Sequence, residues 1–202
     1  FGTYTYGRWY KEKGVKNPSM ETGIYRHSFK VPKEYTGQTV QIVFDGVMTD
    51  TEVLVNDCVA GPIHQGGFYR FSYDITRLLN FGGKNRLEVR VSKHSANKSV
   101  NAAERKADWW LFGGIYRPVW LEINPKEHID RVAVNALCAG HLLADVSLSG
   151  AKSGYCLLAT VENLKSGELL KEHSFQLTDS ATFYRLDTQW EDILPWTPES
   201  PN

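Results

Sequence analysis

The sequence predicts an all-β protein built as two sandwiches, and three patterns support this. Apolar and polar residues alternate with period two along most of the 202 residues, whereas helical periodicity is scarce. Pairs of residues that tolerate positive φ separate these stretches at short intervals, as expected for many short strands. A proline at position 125 interrupts the pattern after a strongly apolar strand, and alternation starts again beyond it. The chain is therefore expected to form two β units.

Apolar residues at every second position mark the individual strands. In the first part of the chain they are predicted to face a core at nine positions: Val40, Ile42, Phe44, Leu87, Val89, Val91, Val119, Leu121 and Ile123. Beyond residue 126 the pattern predicts ten more: Val132, Val134, Ala144, Val146, Leu148, Leu157, Ala159, Val161, Phe175 and Leu177. Turns are predicted at five pairs: Asp45-Gly46, Asn56-Asp57, Gly66-Gly67, Gly82-Gly83 and Gly113-Gly114. One helical turn is predicted at residues 74–79, capped by Asp74.

The charge and the apolar composition argue against two classes of partner. The chain has 23 basic and 23 acidic residues, so no excess charge is present to attract nucleic acid or an anionic membrane. No apolar run approaches the roughly 20 residues that span a bilayer. The chain begins at Phe1 rather than Met, which leaves its compartment undetermined. A periplasmic or extracellular location is favoured, and a cytoplasmic one stays open.

The three cysteines, Cys58, Cys138 and Cys156, indicate neither a metal site nor a disulfide framework. Their number is odd, and they show neither CxxC spacing nor an adjacent histidine. We expect buried free thiols, with a pairing of Cys138 and Cys156 across one sheet as the alternative. The histidines also lack metal-ligand spacing, so neither a metal nor a cofactor is predicted.

The stretch from 108 to 121, with the sequence DWWLFGGIYRPVWL, carries the most information. It resembles the signature of family-2 glycoside hydrolases, in which an acidic residue and aromatic residues precede a Gly-Ile-Tyr/Phe-Arg turn that leads into an apolar strand. Other segments resemble the family in the same order: 22–32, 44–47, 55–57, 64–68, 74–76, 83–89 and the Trp-x-Pro-Glu-x-Pro-Asn segment at 196–202. The resemblance covers the chain from Thr22 to its end.

This resemblance implies a galactose-binding-like jelly-roll domain over residues 1–125 and an immunoglobulin-like sandwich over residues 126–202. In the family a (β/α)₈ barrel follows and holds both catalytic glutamates. Retaining hydrolysis needs two carboxyl groups about 5 Å apart on a rigid frame, so no catalytic residue is predicted in this chain. The second unit is shorter than the roughly 100 residues of a complete sandwich. It is therefore expected to be truncated, with its edge frayed or covered by a neighbouring chain.

The resemblance also makes Asp108 the first candidate for a binding residue. In β-galactosidases and β-glucuronidases, an aspartate seven residues before the signature isoleucine reaches the barrel's active site and binds the terminal sugar. Asp108 stands seven residues before Ile115. An ionised carboxylate can accept hydrogen bonds from two sugar hydroxyls. The alternatives are that Asp108 caps a turn or pairs with Arg105 or Arg117.

Other residues of the signature are assigned to stacking and to scaffolding. Trp109 and Trp110 point to opposite faces if the backbone is extended, so that one stacks on the apolar face of a sugar while the other packs inward. Inward packing of both is the alternative. Gly114, Tyr116 and Arg117 belong to the turn that the family uses as a scaffold. The planar guanidinium of Arg117 suits a buried carboxylate or backbone carbonyls.

Two further segments are predicted to lie in loops. His64 stands beside two glycines but has no paired nucleophile or second metal ligand, so a loop hydrogen bond is expected. Residues 97–106 are rich in Asn, Ser and charge. They are expected to form a long polar connection near the sugar site that is poorly ordered without the barrel.

We therefore predict the non-catalytic N-terminal part of a retaining exo-glycosidase that hydrolyses terminal β-glycosides. A β-galactosidase is placed ahead of a β-glucuronidase or β-mannosidase. The expected partners are its own barrel and a terminal β-linked sugar, and a homo-oligomer stays open. Two alternatives remain, a free-standing carbohydrate-binding module and a structural interaction domain, because a fold does not fix a function.

Overall fold

A computed structural model of the protein describes residues 22–104, 113–164, 166–178, 180–189 and 197–199. The chain divides into two compact units, Phe1–Asn124 and Pro125–Asn202. Strands form most of the described secondary structure in both units, which confirms the all-β class. None of the helices in these described ranges is long and apolar enough to cross a bilayer.

The described part of the first unit contains nine strands in three sheets, and all paired neighbours are antiparallel. The strands are β1 (Thr22–Lys30), β2 (Thr39–Phe44), β3 (Val47–Met48), β4 (Thr51–Val55), β5 (Cys58–Val59), β6 (Phe71–Asp74), β7 (Lys84–Ser92), β8 (Gly114–Ile115) and β9 (Val119–Asn124). One sheet has the order β1-β7-β4-β5, a second has the order β6-β2-β9, and β3 pairs with β8.

The core of the first unit lies between its two larger sheets. The buried side chains that form it are at most 2% exposed: Val40, Ile42 and Phe44 from β2, and Val53, Val55, Val89 and Val91 from β4 and β7. Because one cluster draws side chains from both sheets, the sheets pack face to face as a sandwich. The predicted burial is confirmed for these positions of β2 and β7, but Leu87 is only partly buried, and Val43, which alternates with them, is itself 2% exposed. The rings of Phe44 and Phe71 stack with centroids 4.8 Å apart.

Two of the predicted turns form where short polar side chains satisfy the backbone locally. Asn56 and Asp57 have φ of 51° and 65° and join β4 to β5 in a tight hairpin. A 3₁₀ turn over Thr76–Leu78 confirms the predicted helical turn, but its N-cap is Ile75 rather than the predicted Asp74. The Asp74 carboxylate accepts a hydrogen bond from the Thr76 N–H at 2.9 Å.

The polar connection predicted for residues 97–106 is in part a helix, α1 (Lys98–Glu104). The Asn97 carbonyl oxygen Oδ1 accepts a hydrogen bond from the Ser99 N–H at 2.9 Å, which caps the first turn. Asn101 accepts from the Ser95 N–H at 3.0 Å and donates to the Ser95 carbonyl at 2.5 Å. Residues 98–104 therefore form a helix rather than a loop, because the same Asn and Ser side chains that favour loops also start helices. The expected poor order of this connection without the barrel stays a prediction.

The described part of the second unit contains a three-stranded sheet and a two-stranded one. The strands are β10 (His128–Ala136), β11 (His141–Ser149), β12 (Cys156–Glu162), β13 (Leu169–Gln176) and β14 (Phe183–Gln189). β11 lies between β10 and β14, while β12 and β13 form a separate hairpin. The core joins Val146 and Leu148 of β11 to Leu157 of β12, with Phe175 and Tyr184 packed against them.

Strand β10 departs from the predicted burial. Val132 and Val134 are 51% and 63% exposed, although they pair with the buried Val146 and Ala144. Residues directly opposite each other in an antiparallel pair share a face, so both valines lie on the core side of the sheet. They are exposed because β10 is an edge strand, and none of its residues joins the described core cluster.

All three cysteines are free and exposed, which corrects the expectation of buried thiols. Cys58 occupies the two-residue strand β5 at the edge of its sheet, beyond the core. Cys156 lies in β12 with its Sγ 2.9 Å from the Ser174 Oγ, and Cys138 lies in the turn between β10 and β11. The alternative pairing of Cys138 with Cys156 is therefore also wrong, since the two residues do not share a sheet.

A matched pair of valines tests the position of the first core. Val89 is 1% exposed and Val59 is 57% exposed. Val89→Ala is expected to lower the free energy of unfolding by about 2 kcal/mol, because it removes buried methyl groups and leaves a cavity. Val59→Ala is expected to change it by less than about 0.5 kcal/mol. Chemical denaturation measures both, and equal effects would contradict the described packing.

Candidate functional site

Four loop segments of the first unit meet around Gly67, and we call them the Gly67 rim: residues 45–50, 62–70, 95–104 and 113–118. They lie between the longer strands, and their regular structure is limited to the two-residue strands β3 and β8 and helix α1. Sites on loops held by a rigid sandwich are where binding groups concentrate. The rim also contains the described part of the signature turn, so it is the candidate functional site of the first unit.

The peptide groups of Gly67 connect three segments of this rim. The Gly67 N–H donates to Glu104 Oε2 at 2.8 Å, and the Tyr116 hydroxyl donates to the Gly67 carbonyl at 2.5 Å. Glu104 is only 7% exposed. Burial raises the pKa of the Tyr116 phenol, which keeps the hydroxyl protonated as a donor. A Cβ at position 67 would lie 2.5 Å from Met48 Sδ, so glycine allows this close approach.

Gly66 and His64 fix the conformation of segment 62–70, which we call the glycine loop. Gly66 has φ of +113°, and its N–H donates to Thr49 Oγ1 at 3.2 Å. The ring Nε2 of His64 lies 3.0 Å from the Gly66 carbonyl, which it can reach as a donor. The His64 backbone exchanges two hydrogen bonds with Thr51, and its ring stacks on Phe71 at 3.8 Å between centroids. The predicted loop hydrogen bond of His64 is confirmed.

The signature turn reaches the rim through strand β8. Met48 and Val47 pair with Gly114 and Ile115, and the Ile115 N–H donates to the Tyr25 hydroxyl at 3.0 Å. Gly114 is buried with φ of 75°, a conformation that favours glycine. These contacts hold residues 114 and 115 of the signature against β3.

Arg117 lies on the outside of the same turn. It is exposed, and its guanidinium carbon lies 5.4 Å from the centroid of the Tyr116 ring. A Cβ at Gly46 would lie 2.9 Å from both Arg117 Cδ and Tyr116 Oη, so the predicted Asp45-Gly46 turn also permits a close approach. The structure thus brings Gly114 and Tyr116 into the rim and leaves Arg117 at its surface.

Asp108, Trp109 and Trp110 lie outside the described residues. The described neighbours of this segment, Glu104 before it and Gly114 after it, both belong to the Gly67 rim. Within the described ranges, no group of three or more His, Cys, Asp or Glu residues could hold a metal ion. The assigned roles of the aspartate and the two tryptophans therefore stay predictions.

Two acidic residues of the rim were not singled out from the sequence. Glu104 is bound to Gly67, 37 residues away in the chain. Asp50 accepts hydrogen bonds at Oδ2 from the Ala96 N–H at 2.7 Å and from the Gln65 side chain at 3.2 Å, while its Oδ1 is buried without a hydrogen-bond partner. No local pattern could have identified them, because their partners are distant in sequence. Chemically, such carboxylates are hydrogen-bond acceptors suited to positioning a loop or a hydroxyl.

Comparisons with known proteins agree with this architecture. The family model for glycosyl hydrolases family 2, sugar binding domain, matches residues 5–125. A β-galactosidase of Thermoanaerobacter pseudethanolicus is 34% identical over 149 residues, covering 73% of this chain and 19% of the relative. A β-glucuronidase of Formosa agariphila is 32% identical over 120 residues, covering 57% of this chain and 12% of the relative. The crystal structure of a Bacteroides uniformis β-glucuronidase is similar over 90% of this chain and 23% of its own, with a TM-score of 0.71 at 24% identity.

The sandwich fold and the matched region define an all-β module with the architecture of a sugar binding domain. The chain belongs to family 2 of the glycosyl hydrolases, because the family model matches more than half of it. The chain spans 19% of the length of its β-galactosidase relative, so that protein's activity is not carried over by the match alone.

The His64 ring provides a pH test of the rim. Burial lowers the pKa of His64 below its ordinary value of 6.5, although the Gly66 carbonyl, Glu104 and Asp50 act in the opposite direction. Between the folded-state pKa and 6.5 the unfolded chain binds more protons, so the free energy of unfolding should fall as the pH decreases through this window.

An NMR titration, with the His64 signal assigned by its loss in His64→Gln, should place the ring's pKa below 6.5. The His64→Gln variant should also lose this part of the pH dependence of stability. A His64 pKa at or above 6.5 would contradict the described burial of the ring.

Proposed function

We propose that this chain is the non-catalytic N-terminal part of a retaining exo-acting β-galactosidase. The observation that carries the proposal is the match to the family's sugar binding domain over residues 5–125, together with 34% identity to a β-galactosidase. Residues 1–125 form the sugar-binding domain in this proposal, and residues 126–202 form the immunoglobulin-like sandwich. Both support a (β/α)₈ barrel that carries the two catalytic carboxyl groups.

The first domain contributes to the sugar subsite through Asp108. The support for this assignment is the placement of its described neighbours, since Glu104 and Tyr116 are both bound to Gly67. In this proposal the Asp108 carboxylate accepts hydrogen bonds from the hydroxyls of a terminal sugar. One of Trp109 and Trp110 stacks on the apolar face of the sugar, and the other packs inward.

A second candidate is a β-glucuronidase. It is favoured by the 32% identity to a relative with that name, which covers 57% of this chain. Sugar identity depends on contacts with individual hydroxyl or carboxylate groups, which the barrel loops supply in this proposal. Assays of the full-length protein on para-nitrophenyl β-galactoside and β-glucuronide separate the two candidates. Turnover of neither substrate would refute both.

Removal of the Asp108 charge tests the subsite. In the full-length protein, Asp108→Asn is expected to lower kcat/KM about 10- to 100-fold, because charge-assisted hydrogen bonds to the sugar are lost. Asp57→Asn is the matched control, since the Asp57 side chain is 76% exposed in the β4–β5 hairpin outside the Gly67 rim, and it should leave kcat/KM unchanged. Wild-type kinetics for Asp108→Asn would remove the assigned role.

Isothermal titration of the 202-residue chain tests the carbohydrate-binding-module alternative. Galactose and lactose are expected to give no sub-millimolar binding, because the chain offers only one wall of the proposed pocket. A sub-millimolar affinity would instead favour a free-standing carbohydrate-binding module.

A further inference from the structure

The second unit has an apolar face that no strand of the described ranges covers. Ile129, Val132 and Val134 of β10 are all more than half exposed. Each of them pairs with a buried residue of β11, so all three lie on the core side of their sheet. Contiguous apolar side chains on the core side of a sheet are a place where further chain packs.

The two-stranded sheet lies over β11 and β14 and leaves β10 uncovered. Leu157 of β12 belongs to the core cluster that contains the buried residues of β11. The ring of Phe175 in β13 lies 6.0 Å from the ring of Tyr184 in β14, and the Tyr184 hydroxyl donates to the Gln176 carbonyl at 3.1 Å. Since β12 faces β11 and β13 faces β14, the edge of β12 remote from β13 lies on the side of β10.

This edge of β12 presents backbone groups that a further strand can bind. The Leu177 N–H donates to the Tyr155 carbonyl at 2.9 Å, next to the β12–β13 ladder. Hydrogen-bonded pairs alternate along an antiparallel ladder. The odd-numbered residues of 157–161 therefore bond to β13, whereas Leu158 and Thr160 direct their N–H and C=O groups away from it. An edge of this kind is a template for strand addition.

We propose that a strand from the part of the protein that follows residue 202 pairs with this edge of β12 and covers the exposed face of β10. This inference rests on the proposed function, in which the chain continues beyond residue 202. The chain spans 19% of its β-galactosidase relative and 23% of the Bacteroides uniformis enzyme, so such proteins contain ample further chain. The added strand carries apolar residues at alternate positions, because only one of its faces meets β10.

A second copy of the chain fits this place less well. If its β12 paired with β12 of the first copy, the same inner face would have to cover β10 of the first copy and β11 of its own. Leu157 on that face is already buried against β11 of its own chain. One strand cannot pack both partners in the same space, so an added strand with a free inner face is required.

Hydrogen–deuterium exchange at single amides of β12 tests the proposal in the full-length protein and in the 202-residue chain. The amides of Leu158 and Thr160 are expected to exchange at least about 100-fold more slowly in the full-length protein, because the added strand accepts their hydrogen bonds. The amides of Leu157 and Val161 bond to β13 and are the internal reference. Equal rates for Leu158 and Thr160 in the two proteins would overturn the proposal.

Two variants of the full-length protein connect the β12 edge to the face of β10. Val134→Asp places a charge under the added strand and is expected to speed exchange at Leu158 and Thr160 at least about tenfold. Asn135→Asp lies on the opposite face of the same strand and should leave both rates unchanged. Equal effects of the two variants would contradict the proposed covering. Should Val134→Asp not fold, as judged by circular dichroism, Val134→Thr takes its place.

The outcomes also separate this proposal from the proposed function. If the full-length protein hydrolyses a para-nitrophenyl β-glycoside but its β12 edge exchanges as in the 202-residue chain, the added strand is wrong and the function stands. Slow exchange without turnover of either glycoside supports the strand and refutes the assigned activity. Slow exchange already present in the 202-residue chain overturns the added strand, and sedimentation then shows whether a second copy covers the edge.

Discussion

The backbone of Gly67 joins parts of the first unit that lie 37 and 49 residues away in the sequence. Its amide donates to a buried carboxylate and its carbonyl accepts from a phenol, so both peptide groups are satisfied by side chains. Buried backbone groups require such partners, and each one lost would cost on the order of 1 to 3 kcal/mol. Glycine leaves room for this arrangement, since a Cβ here would lie 2.5 Å from the Met48 sulfur. Gly67 thus links three segments of the rim.

The sandwich beneath the rim makes the connection possible. β2 runs through the core with Val40, Ile42 and Phe44 buried, and the chain then turns at Asp45-Gly46 into β3, which pairs with β8. Strand pairing between β3 and β8 therefore places residues 114 and 115 of the signature beside the glycine loop. The start of α1 is held by the polar contacts of Asn97 and Asp50. The aromatic stack of Phe44, Phe71 and His64 continues from the core into the loop. Packing in the core and hydrogen bonding at the rim thus act on the same segments, which is why a loop site here can be rigid.

In the second unit the alternating pattern predicts which residues share a face of a sheet, but not whether that face is buried. Val146 and Leu148 are buried as the pattern predicts, but Val132 and Val134, with the same alternation, are more than half exposed. Alternation specifies which residues share a face of a sheet, and the pairing of β10 with β11 agrees with it. Whether that face is covered depends on the number and position of opposing strands, which the pattern does not contain. The cysteines show the same dependence on position in the fold. Free thiols are usually buried, but these three are exposed because they lie at a hairpin or a sheet edge.

The sequence alone determined the all-β class, three strands of the first unit (β2, β7 and β9), the Asn56-Asp57 hairpin and the membership in a glycoside hydrolase family, but not strand β4, whose Val53 and Val55 lie in the core. Local periodicity, turn residues and short motifs predict these features, and each of these patterns spans only a few residues. It also pointed to Gly114 and Tyr116, but it gave no reason to notice Glu104 or Asp50. The tertiary structure decided the roles of those two carboxylates, the helix in the polar connection and the uncovered face of β10. The carboxylate contacts and the exposure of β10 depend on residues that are far apart in the chain, and such contacts exist only once the strands have paired and packed. The helix is started by local hydrogen bonds of Asn97 and Asn101, which compete with the loop conformations that the same residues favour.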